Sequence, residues 1–254
     1  MSLSLFDMHC HLDFDADPRA LADGLAARGA GALSVTVTPE GYERAARLLA
    51  SCSNVRVGAG LHPWWVERGP EGEEAVERAV ANAGATRYVG EVGLDFGSKH
   101  VGTREAQVAA FGRIAAACAA EGGKVLSIHA VRSAGTVLDI LERTGALEGN
   151  ACIFHWFSGT SDELQRALRA GCFCSVNPRM LVAKRGRAYA QAIPSDRLLL
   201  ETDAPSEPGE PYDPAAEAAR LASMLETLAD LRRAPVEELA ARVARTSREL
   251  LELA

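Results

Sequence analysis

Side chains that can bind metal ions recur at one kind of position in this 254-residue sequence, in or just after a short apolar run. Imidazole and carboxylate groups are the ligands that zinc and related divalent ions take from proteins. One tetrahedral ion needs only four ligands, so a larger set predicts two ions. Four are histidines and two are acidic: His9, His11, Glu91, His129, His155 and Asp203.

The spacing of these residues supports metal ligation to different degrees. His9 and His11 are two residues apart, so on an extended strand their side chains project to one face and can hold one ion. Glu91 lies inside an apolar run, where an unpaired carboxylate is costly. A metal ion is one partner for it, and a buried Arg is the alternative. A lone histidine on such a run is usually a core residue, but matching positions for His129 and His155 favour ligation.

Two ions bridged by Glu91 predict hydrolysis. Two such ions, roughly 3.5–4 Å apart, lower the pKa of a bridging water towards 7 and hold the attacking and leaving oxygens of a phosphodiester. Asp203 then takes the proton of that water as general base. The catalytic pair is therefore Glu91 and Asp203. A mixed nitrogen and oxygen set suits Zn, Mn, Co or Ni, and Mg less well.

The apolar runs themselves predict the fold. They are apolar at consecutive positions, which is typical of parallel strands buried on both faces. Amphipathic segments separate them, including Arg104–Glu121 and a helix that opens on a capping box at Thr160–Glu163. The eight runs are Leu5–His9, Ala32–Thr38, Val55–His62, Tyr88–Leu94, Lys124–Ala130, Ala151–Phe157, Cys172–Asn177 and Leu198–Pro205.

Eight βα units without a linker predict one domain over residues 1–254, an α/β fold of the (β/α)8 TIM-barrel type of metal-dependent hydrolases. An open doubly wound sheet more often has about five or six strands and a glycine-rich turn after the first. That turn is absent here. In a (β/α)8 barrel the carboxyl ends of the strands open onto one face, which carries the active site.

The composition restricts the classes of protein to which this chain can belong. Hydrophobic residues make up 48% and charged residues 24%, ordinary values for a globular chain. The net charge of −7 argues against a basic coat for nucleic acid but not against a local basic patch. Six cysteines without framework spacing predict buried free thiols. No leader and no apolar stretch of about 18 residues is evident, so we expect a cytoplasmic protein that contacts no membrane.

Six strings together resemble the TatD family of metal-dependent deoxyribonucleases, in the order in which that family has them and over essentially the whole chain. A resemblance in all six is highly specific. The strings are Asp7–Asp13, Gly60–Pro63, Val89–Asp95, Ser127–His129, His155–Gly159 and Leu200–Pro205.

The resemblance implies a (β/α)8 barrel, a two-metal site and hydrolysis of DNA, commonly from the 3′ end. It assigns metal binding to the six residues named above and places His62 in the substrate pocket. The alternative for His62 is a loop residue that caps the turn at Pro63. Many members have an Arg and an Asn-x-Pro after the Thr-Asp-Ala-Pro string. Residues 206–214 lack both, which puts a phosphate contact there in doubt.

Several segments are similar to a sub-branch of the family, the TatD-like subunit (QatD) of a bacterial anti-phage cassette. This similarity implies partner subunits and a role in antiviral defence. It rests on residues 124–135, 155–160 and 175–181.

Other residues are candidates for binding substrate. Basic side chains from Arg179 to Arg187, without an acid among them, are placed to meet phosphates, with a solvated helix start as the equal alternative. The aromatic rings of Trp64, Trp65 and Trp156 could stack on an unpaired base or pack at the rim. The predicted substrate-binding set is His62, Arg132, Trp156, Asn177 and Arg179.

Three functions fit these residues. The first is a nuclease that acts on single-stranded DNA or duplex ends. The second is a metal hydrolase of a small phosphoester or an amide. Many amide hydrolases of this fold bridge their metals with a carboxylated Lys on the fourth strand, where this chain has Glu91. The third is a DNA-binding subunit of a phage-defence complex, against which the complete ligand set argues.

Overall fold

Strands and helices alternate along the chain in this computed structural model, which describes residues 4–253. The described residues form eight strands, β1 to β8: Leu5–Cys10, Ala30–Val35, Val55–Gly58, Tyr88–Asp95, Val125–Val131, Ala151–His155, Phe173–Val176 and Leu198–Leu200. They also form ten α-helices, α1 to α10: Pro18–Ala26, Pro39–Leu48, Pro70–Ala85, Arg104–Glu121, Ala134–Thr144, Ser161–Arg169, Pro178–Val182, Lys184–Ala192, Pro214–Arg232 and Val236–Leu251.

Local sequence signals set most of these boundaries. Asp17 caps α1 through its carboxylate, and Pro18 occupies the first turn, where no amide hydrogen is needed. The predicted capping box is present: the Thr160 hydroxyl accepts from the Glu163 amide, and the Glu163 carboxylate accepts from the Thr160 amide. Helix α4 ends at Gly122, which has a positive φ.

All eight predicted strands are present, and the largest differences from the predicted bounds are the early ends of two of them. Strand β3 ends at Gly58 instead of His62, and the chain then enters a 3-10 helix over Pro63–Trp65. Strand β8 ends at Leu200, and the following segment is irregular, with the amides of Thr202 and Asp203 donating to Asp7 and His9. His62 and Asp203 therefore lie in the segments beyond their strands. The prediction that Asp203 lies within the eighth strand was wrong.

The described residues divide into two compact units. The first unit comprises residues 4–34, 44–56 and 174–253, and the second comprises residues 35–43 and 57–173. The assignment of residues 1–254 to one domain stays a prediction, and residues 1–3 and 254 lie outside the described part.

The first unit contains two parallel strand pairs. Strand β1 pairs with β2, with Leu5 opposite Ala30, and β7 pairs with β8, with Cys174 opposite Leu198. Helices α9 and α10 pack against β1. Inward-facing side chains such as Phe6 are almost fully buried and form the core.

The second unit is built on the parallel strands β4, β5 and β6. Tyr88 lies opposite Val125, and Val125 lies opposite Ala151. All eight residues of β4 are buried, as the uninterrupted apolar pattern predicts for a strand covered on both faces. The alternation of eight parallel strands with helices confirms the (β/α)8 fold class.

Two β-bulges interrupt the strands at candidate metal ligands. In β4, Gly90 and Glu91 lie opposite the single residue Ser127 of β5. In β1, Met8 and His9 lie opposite the single residue Leu33 of β2. A bulge bends its strand and changes the direction of a side chain, and bulges are frequent beside active sites. The carboxylate of Glu91 and the imidazole of His9 both project from such positions.

The six cysteines are all buried and free, as predicted. None of the described helices combines the length and the apolar character that crossing a membrane requires.

Candidate metal centre

A single carboxylate oxygen lies among three imidazoles in the second unit. Glu91 Oε1 is 2.8 Å from His129 Nδ1, 2.9 Å from His155 Nε2 and 3.2 Å from His62 Nε2. All four side chains are buried. The sequence prediction that Glu91, His129 and His155 converge is thus met by their positions, and His62 joins them.

The spacing of these atoms fits a divalent ion. Ligands of a tetrahedral ion with bonds of 2.0–2.1 Å are separated by about 3.3 Å. The imidazole nitrogens of His62 and His155 are each 3.3 Å from His129 Nδ1. Ligand atoms of His62, Glu91 and His129 all lie within 4.8 Å of one another. Imidazole nitrogen with one carboxylate is also the ligand chemistry that such an ion prefers.

The bulge in β4 is held from the neighbouring backbone. The Thr36 amide donates to the Gly90 carbonyl at 3.0 Å, and the Glu91 amide donates to the Thr36 carbonyl at 2.8 Å. The Gly90 amide donates to the Ala59 carbonyl at 2.9 Å. These bonds fix the backbone on both sides of the Glu91 side chain, so the carboxylate is positioned before any ion binds.

Close approach of β5 explains the glycines that flank Glu91. Gly93 has a φ of 140°, and a Cβ there would lie 2.1 Å from the His129 carbonyl oxygen. Gly90 has a φ of 152°, and its Cβ would lie 2.9 Å from Ser127. These glycines therefore let the backbones of β4 and β5 approach each other closely.

Asp95 connects the cluster to the polypeptide around it. Its Oδ2 lies 3.3 Å from His129 Nε2 and accepts a 2.6 Å hydrogen bond from Trp64 Nε1. Its Oδ1 accepts from the Gly97 amide at 2.7 Å. A proton on His129 Nε2 then leaves the Nδ1 lone pair directed at the cluster. Sequence analysis did not single out Asp95, although it ends the same string as Glu91.

Electrostatics in the second unit follow from these contacts. Burial works against ionisation of Asp95, but hydrogen bonds from His129, Trp64 and the Gly97 amide outweigh it and lower the pKa. Burial disfavours the charged form of His129, yet hydrogen bonds to Asp95 and Glu91 raise its pKa. Asp95 is therefore an anion that favours a proton on the outward nitrogen of His129.

His62 caps a turn, as the alternative interpretation predicted, and its role in the substrate pocket stays a prediction. Its Nδ1 accepts from the Trp64 amide at 3.1 Å, so it caps the 3-10 helix that begins at Pro63. Its Nε2 faces Glu91 and His129. The turn cap therefore sets the ring so that its other nitrogen faces the cluster.

The first unit brings three other predicted ligands together. His11 Nε2 lies 3.3 Å from Asp203 Oδ1, and His9 Nε2 lies 3.6 Å from the same oxygen. The two imidazole rings are 5.2 Å apart between centroids. The Asp203 side chain is 22% exposed, whereas the two histidines are buried. These separations also suit the ligand shell of one ion.

Backbone bonds hold Asp203 beside the histidines. Its amide donates to the His9 carbonyl at 2.9 Å, and the His11 amide donates to the Ala204 carbonyl at 2.9 Å. Asp203 has a φ of 58°, a left-handed conformation that costs energy for a residue with a Cβ. The bonds on both sides maintain this conformation.

Asp7 supports the same segment and was missed by sequence analysis. Its carboxylate accepts from the Thr202 hydroxyl at 2.5 Å and from the Thr202 amide at 3.0 Å. Burial raises its pKa to about 8, although the bonds from Thr202 act in the opposite direction. It is a carboxylate in an apolar strand, the signal that singled out Glu91.

The remaining substrate candidates differ in what surrounds them. The exposed Arg132 side chain has no hydrogen-bond or ion-pair partner within residues 4–253, and Trp156 is half-buried. The side-chain amide nitrogen of Asn177 (Nδ2) donates to Glu201 Oε1 at 3.2 Å and to the Thr202 carbonyl at 3.3 Å. Arg179 is exposed on α7. Roles in substrate binding stay predictions for all four, and the contacts of Asn177 indicate a structural role as well.

Comparison with known proteins decides the family. The model of a family described as TatD related DNase matches residues 6–252. The chain belongs to the TatD family. TatD proteins are metal-dependent hydrolases of phosphodiester bonds, so the predicted enzyme class and metal dependence are confirmed at this level.

Curated relatives in the TatD family carry the name 3′-5′ ssDNA/RNA exonuclease TatD. The protein of Enterobacter lignolyticus is 33% identical over 191 residues, 74% of this chain and 70% of its own length. That of Musicola paradisiaca is 31% identical over 211 residues, 79% and 78% of the two chains. That of Edwardsiella piscicida is 36% identical over 150 residues, and the match spans 58% of this chain and only 56% of the relative.

Solved structures of the TatD type share the fold. A crystal structure of a TatD homologue from Escherichia coli K12 has a TM-score of 0.83 at 24% identity and covers 100% of both chains. A TatD family hydrolase from Entamoeba histolytica has a TM-score of 0.79 at 15% identity and covers 98% of both. This likeness supports the (β/α)8 fold class.

Proposed function

We propose that this chain is a nuclease that removes nucleotides from the 3′ end of single-stranded DNA, using two divalent ions. The observation that carries the proposal is the Glu91 carboxylate oxygen within 3.2 Å of three imidazole nitrogens in a TatD-family chain. Relatives named as 3′-5′ ssDNA/RNA exonucleases support the polarity and the single-stranded substrate.

The proposal assigns the six predicted ligands to one two-metal centre. Carboxyl ends of parallel strands open onto one face in a (β/α)8 barrel, and the proposed ligands lie within such strands or beyond their carboxyl ends. We expect one ion to be bound by His9, His11 and Asp203, and the other by His129 and His155. Glu91 would bridge them. Zn, Mn, Co, Ni or Mg are the candidate ions.

Each residue then has a distinct task. Ions bound there would supply Lewis acidity to activate water and to stabilise charge on the phosphate. Asp203, the more exposed of the two catalytic carboxylates, accepts the proton of the attacking water. Asp95 and Thr36 hold His129 and Glu91 in place. His62, Arg132, Trp156, Asn177 and Arg179 bind the substrate.

Location and partners complete the proposal. Six buried, free thiols suit the reducing cytoplasm. If the chain belongs to the anti-phage sub-branch, partner subunits deliver the DNA. The similarity of residues 124–135 and 155–160 to that sub-branch supports this part of the proposal.

A nuclease assay tests the proposal. Oligonucleotides labelled at either end, single-stranded and duplex, DNA and RNA, are incubated with the chain and each candidate metal. We expect metal-dependent release of 3′-terminal nucleotides from single-stranded DNA. Glu91→Ala and Asp203→Ala should each reduce the rate at least about 100-fold, because each removes a metal ligand or the general base.

The matched control is Glu226→Ala, since Glu226 is an exposed carboxylate on α9. It should retain the wild-type rate. Equal activity of the wild type, Glu91→Ala and Asp203→Ala with every metal would refute the proposal. Cleavage of 4-nitrophenyl phosphate but of no oligonucleotide would favour a small-phosphoester hydrolase instead. Metal-independent binding of DNA without cleavage would favour a binding subunit.

A further inference from the structure

Two adjacent tryptophans follow His62, and they have the same exposure but different surroundings. Trp64 and Trp65 are each 54% exposed. The Trp64 ring contacts other rings and donates a hydrogen bond. Over residues 4–253, the Trp65 side chain makes neither kind of contact. A large exposed indole is uncommon on a soluble surface, so its surroundings indicate whether it has a task.

Trp64 is held rigidly. Its Nε1 donates to Asp95 Oδ2 at 2.6 Å, and its backbone amide donates to His62 Nδ1 at 3.1 Å. His100 stacks on one face of the indole, with centroids 4.7 Å apart and an angle of 11° between the planes. His100 therefore covers one face, and because the residue as a whole is still 54% exposed, part of the remaining ring surface is accessible. A ligand that stacks there does not need to order the side chain first.

Trp64 also lies beside the candidate metal centre. Its ring is 4.8 Å from that of His62 and 6.2 Å from that of His129, between centroids. A nucleotide whose phosphate lies at the Glu91 cluster would place a neighbouring base within reach of this ring. An indole face binds any base, but only when that base is unpaired and free to stack.

We propose that the open face of Trp64 is a stacking platform for one unpaired base next to the cleaved phosphate, and that it gives the enzyme a preference for single strands. This inference rests on the proposed nuclease function and adds a substrate contact to it. Trp65 is assigned no such role, because neither a hydrogen bond nor a ring contact holds its side chain within residues 4–253.

Binding of oligonucleotides with one missing base tests the platform. A single-stranded ten-nucleotide DNA is compared with versions that have an abasic site at the first, second or third position from the 3′ end. Fluorescence anisotropy gives Kd with metal ions chelated, so no cleavage occurs. Loss of the stacked base should weaken binding of the wild type about 5- to 150-fold at one of these positions.

Variants of the two tryptophans then assign the effect. In Trp64→Ala the ratio of the Kd for abasic DNA to the Kd for intact DNA should fall to about one. Trp65→Ala should keep the wild-type ratio. Trp64→Phe, which retains an aromatic face, should keep a ratio well above one. Thermal unfolding confirms that each variant is folded.

Several results would overturn the platform. These are an unchanged ratio in Trp64→Ala, equal ratios in Trp64→Phe and Trp64→Ala, or no binding of intact DNA by the wild type. A change of oligomeric state in Trp64→Ala without a change of ratio would instead assign this face to a protein partner. If the wild type cleaves DNA but Trp64→Ala leaves the Kd ratio unchanged, only the stacking platform is refuted. If the Kd ratio depends on Trp64 but no metal supports cleavage, only the nuclease function is refuted.

Discussion

At the scale of single residues, the candidate centre depends on side chains that hydrogen-bond to the candidate ligands or to their backbone segments. His129 could turn about its side-chain bonds, but Asp95 accepts from its Nε2 and thereby directs Nδ1 towards Glu91. Asp7 acts similarly on the segment that carries Asp203. Sequence patterns selected the six candidate ligands because those side chains are costly to bury unless paired. They did not identify Asp95 and Asp7 as supports, since that depends on which segments become neighbours.

Replacement of Asp95 tests this support. Asp95→Asn keeps the size of the side chain but removes the charge and lets an NH2 group face His129. We expect metal affinity to fall about 10- to 100-fold, the usual effect of losing the partner of a ligating histidine. Isothermal titration with Mn or Zn measures it.

Asp139→Asn is the control, because Asp139 pairs with Arg166 at the surface. Its metal affinity should equal that of the wild type. If Asp95→Asn also binds metal with wild-type affinity, His129 is held by other contacts.

At the scale of elements, bulges and glycines determine where the ligands point. The alternating strands and helices were predictable, because parallel buried strands have uninterrupted apolar runs and the helices have standard caps. The bulges at His9 and Glu91 were not predictable, because a bulge depends on the register between two strands. The early end of β3 was missed because Ala59 and Leu61 continue the apolar pattern, and that of β8 because it depends on hydrogen bonds to segments distant in the sequence.

Gly93 provides the test at this scale. A Cβ at Gly93 would lie 2.1 Å from the His129 carbonyl oxygen, and its φ of 140° disfavours any other residue. Gly93→Ala should therefore lower the free energy of unfolding by about 2–4 kcal/mol, from overpacking and backbone strain together. Urea denaturation measures the loss.

Gly102→Ala is the matched control, since no heavy atom lies within 4 Å of the Cβ that it would add. It should change stability by less than about 0.5 kcal/mol. Equal stability of the two variants would contradict the close approach of β4 and β5.

At the scale of the whole molecule, the distribution of charge bears on the proposed binding of DNA. The net charge of −7 leaves no general attraction for phosphates. A local basic segment is present, because Arg179, Lys184, Arg185 and Arg187 are all exposed along α7 and α8. Lys184 and Arg187 line one open surface groove. The order of the elements and this segment were evident from the sequence, whereas the groove depends on packing against Leu231.

Salt dependence tests the basic segment. Binding of single-stranded DNA should weaken as salt rises, because bound cations are released when lysine and arginine contact phosphates. In the double variant Lys184→Ala/Arg187→Ala, the slope of log K against log salt should become shallower by up to about 1.4, or about 0.7 for each phosphate that is no longer neutralised. Anisotropy titrations at several salt concentrations give the slope.

The control removes two basic residues of α10, Arg242→Ala/Arg245→Ala, and should leave the slope unchanged. An unchanged slope in the Lys184/Arg187 variant would show that these side chains are only a solvated face of α8.

The central claim of the proposed function is that the six proposed ligands hold two ions, with Glu91 as the bridging carboxylate. A crystal structure of the chain grown with Mn, analysed by anomalous scattering, tests this claim most directly. We predict two Mn peaks roughly 3.5–4 Å apart with the Glu91 carboxylate between them. One ion is expected on His9, His11 and Asp203, and the other on His129 and His155. A single peak, or two peaks too far apart for one carboxylate to bridge, would contradict the account.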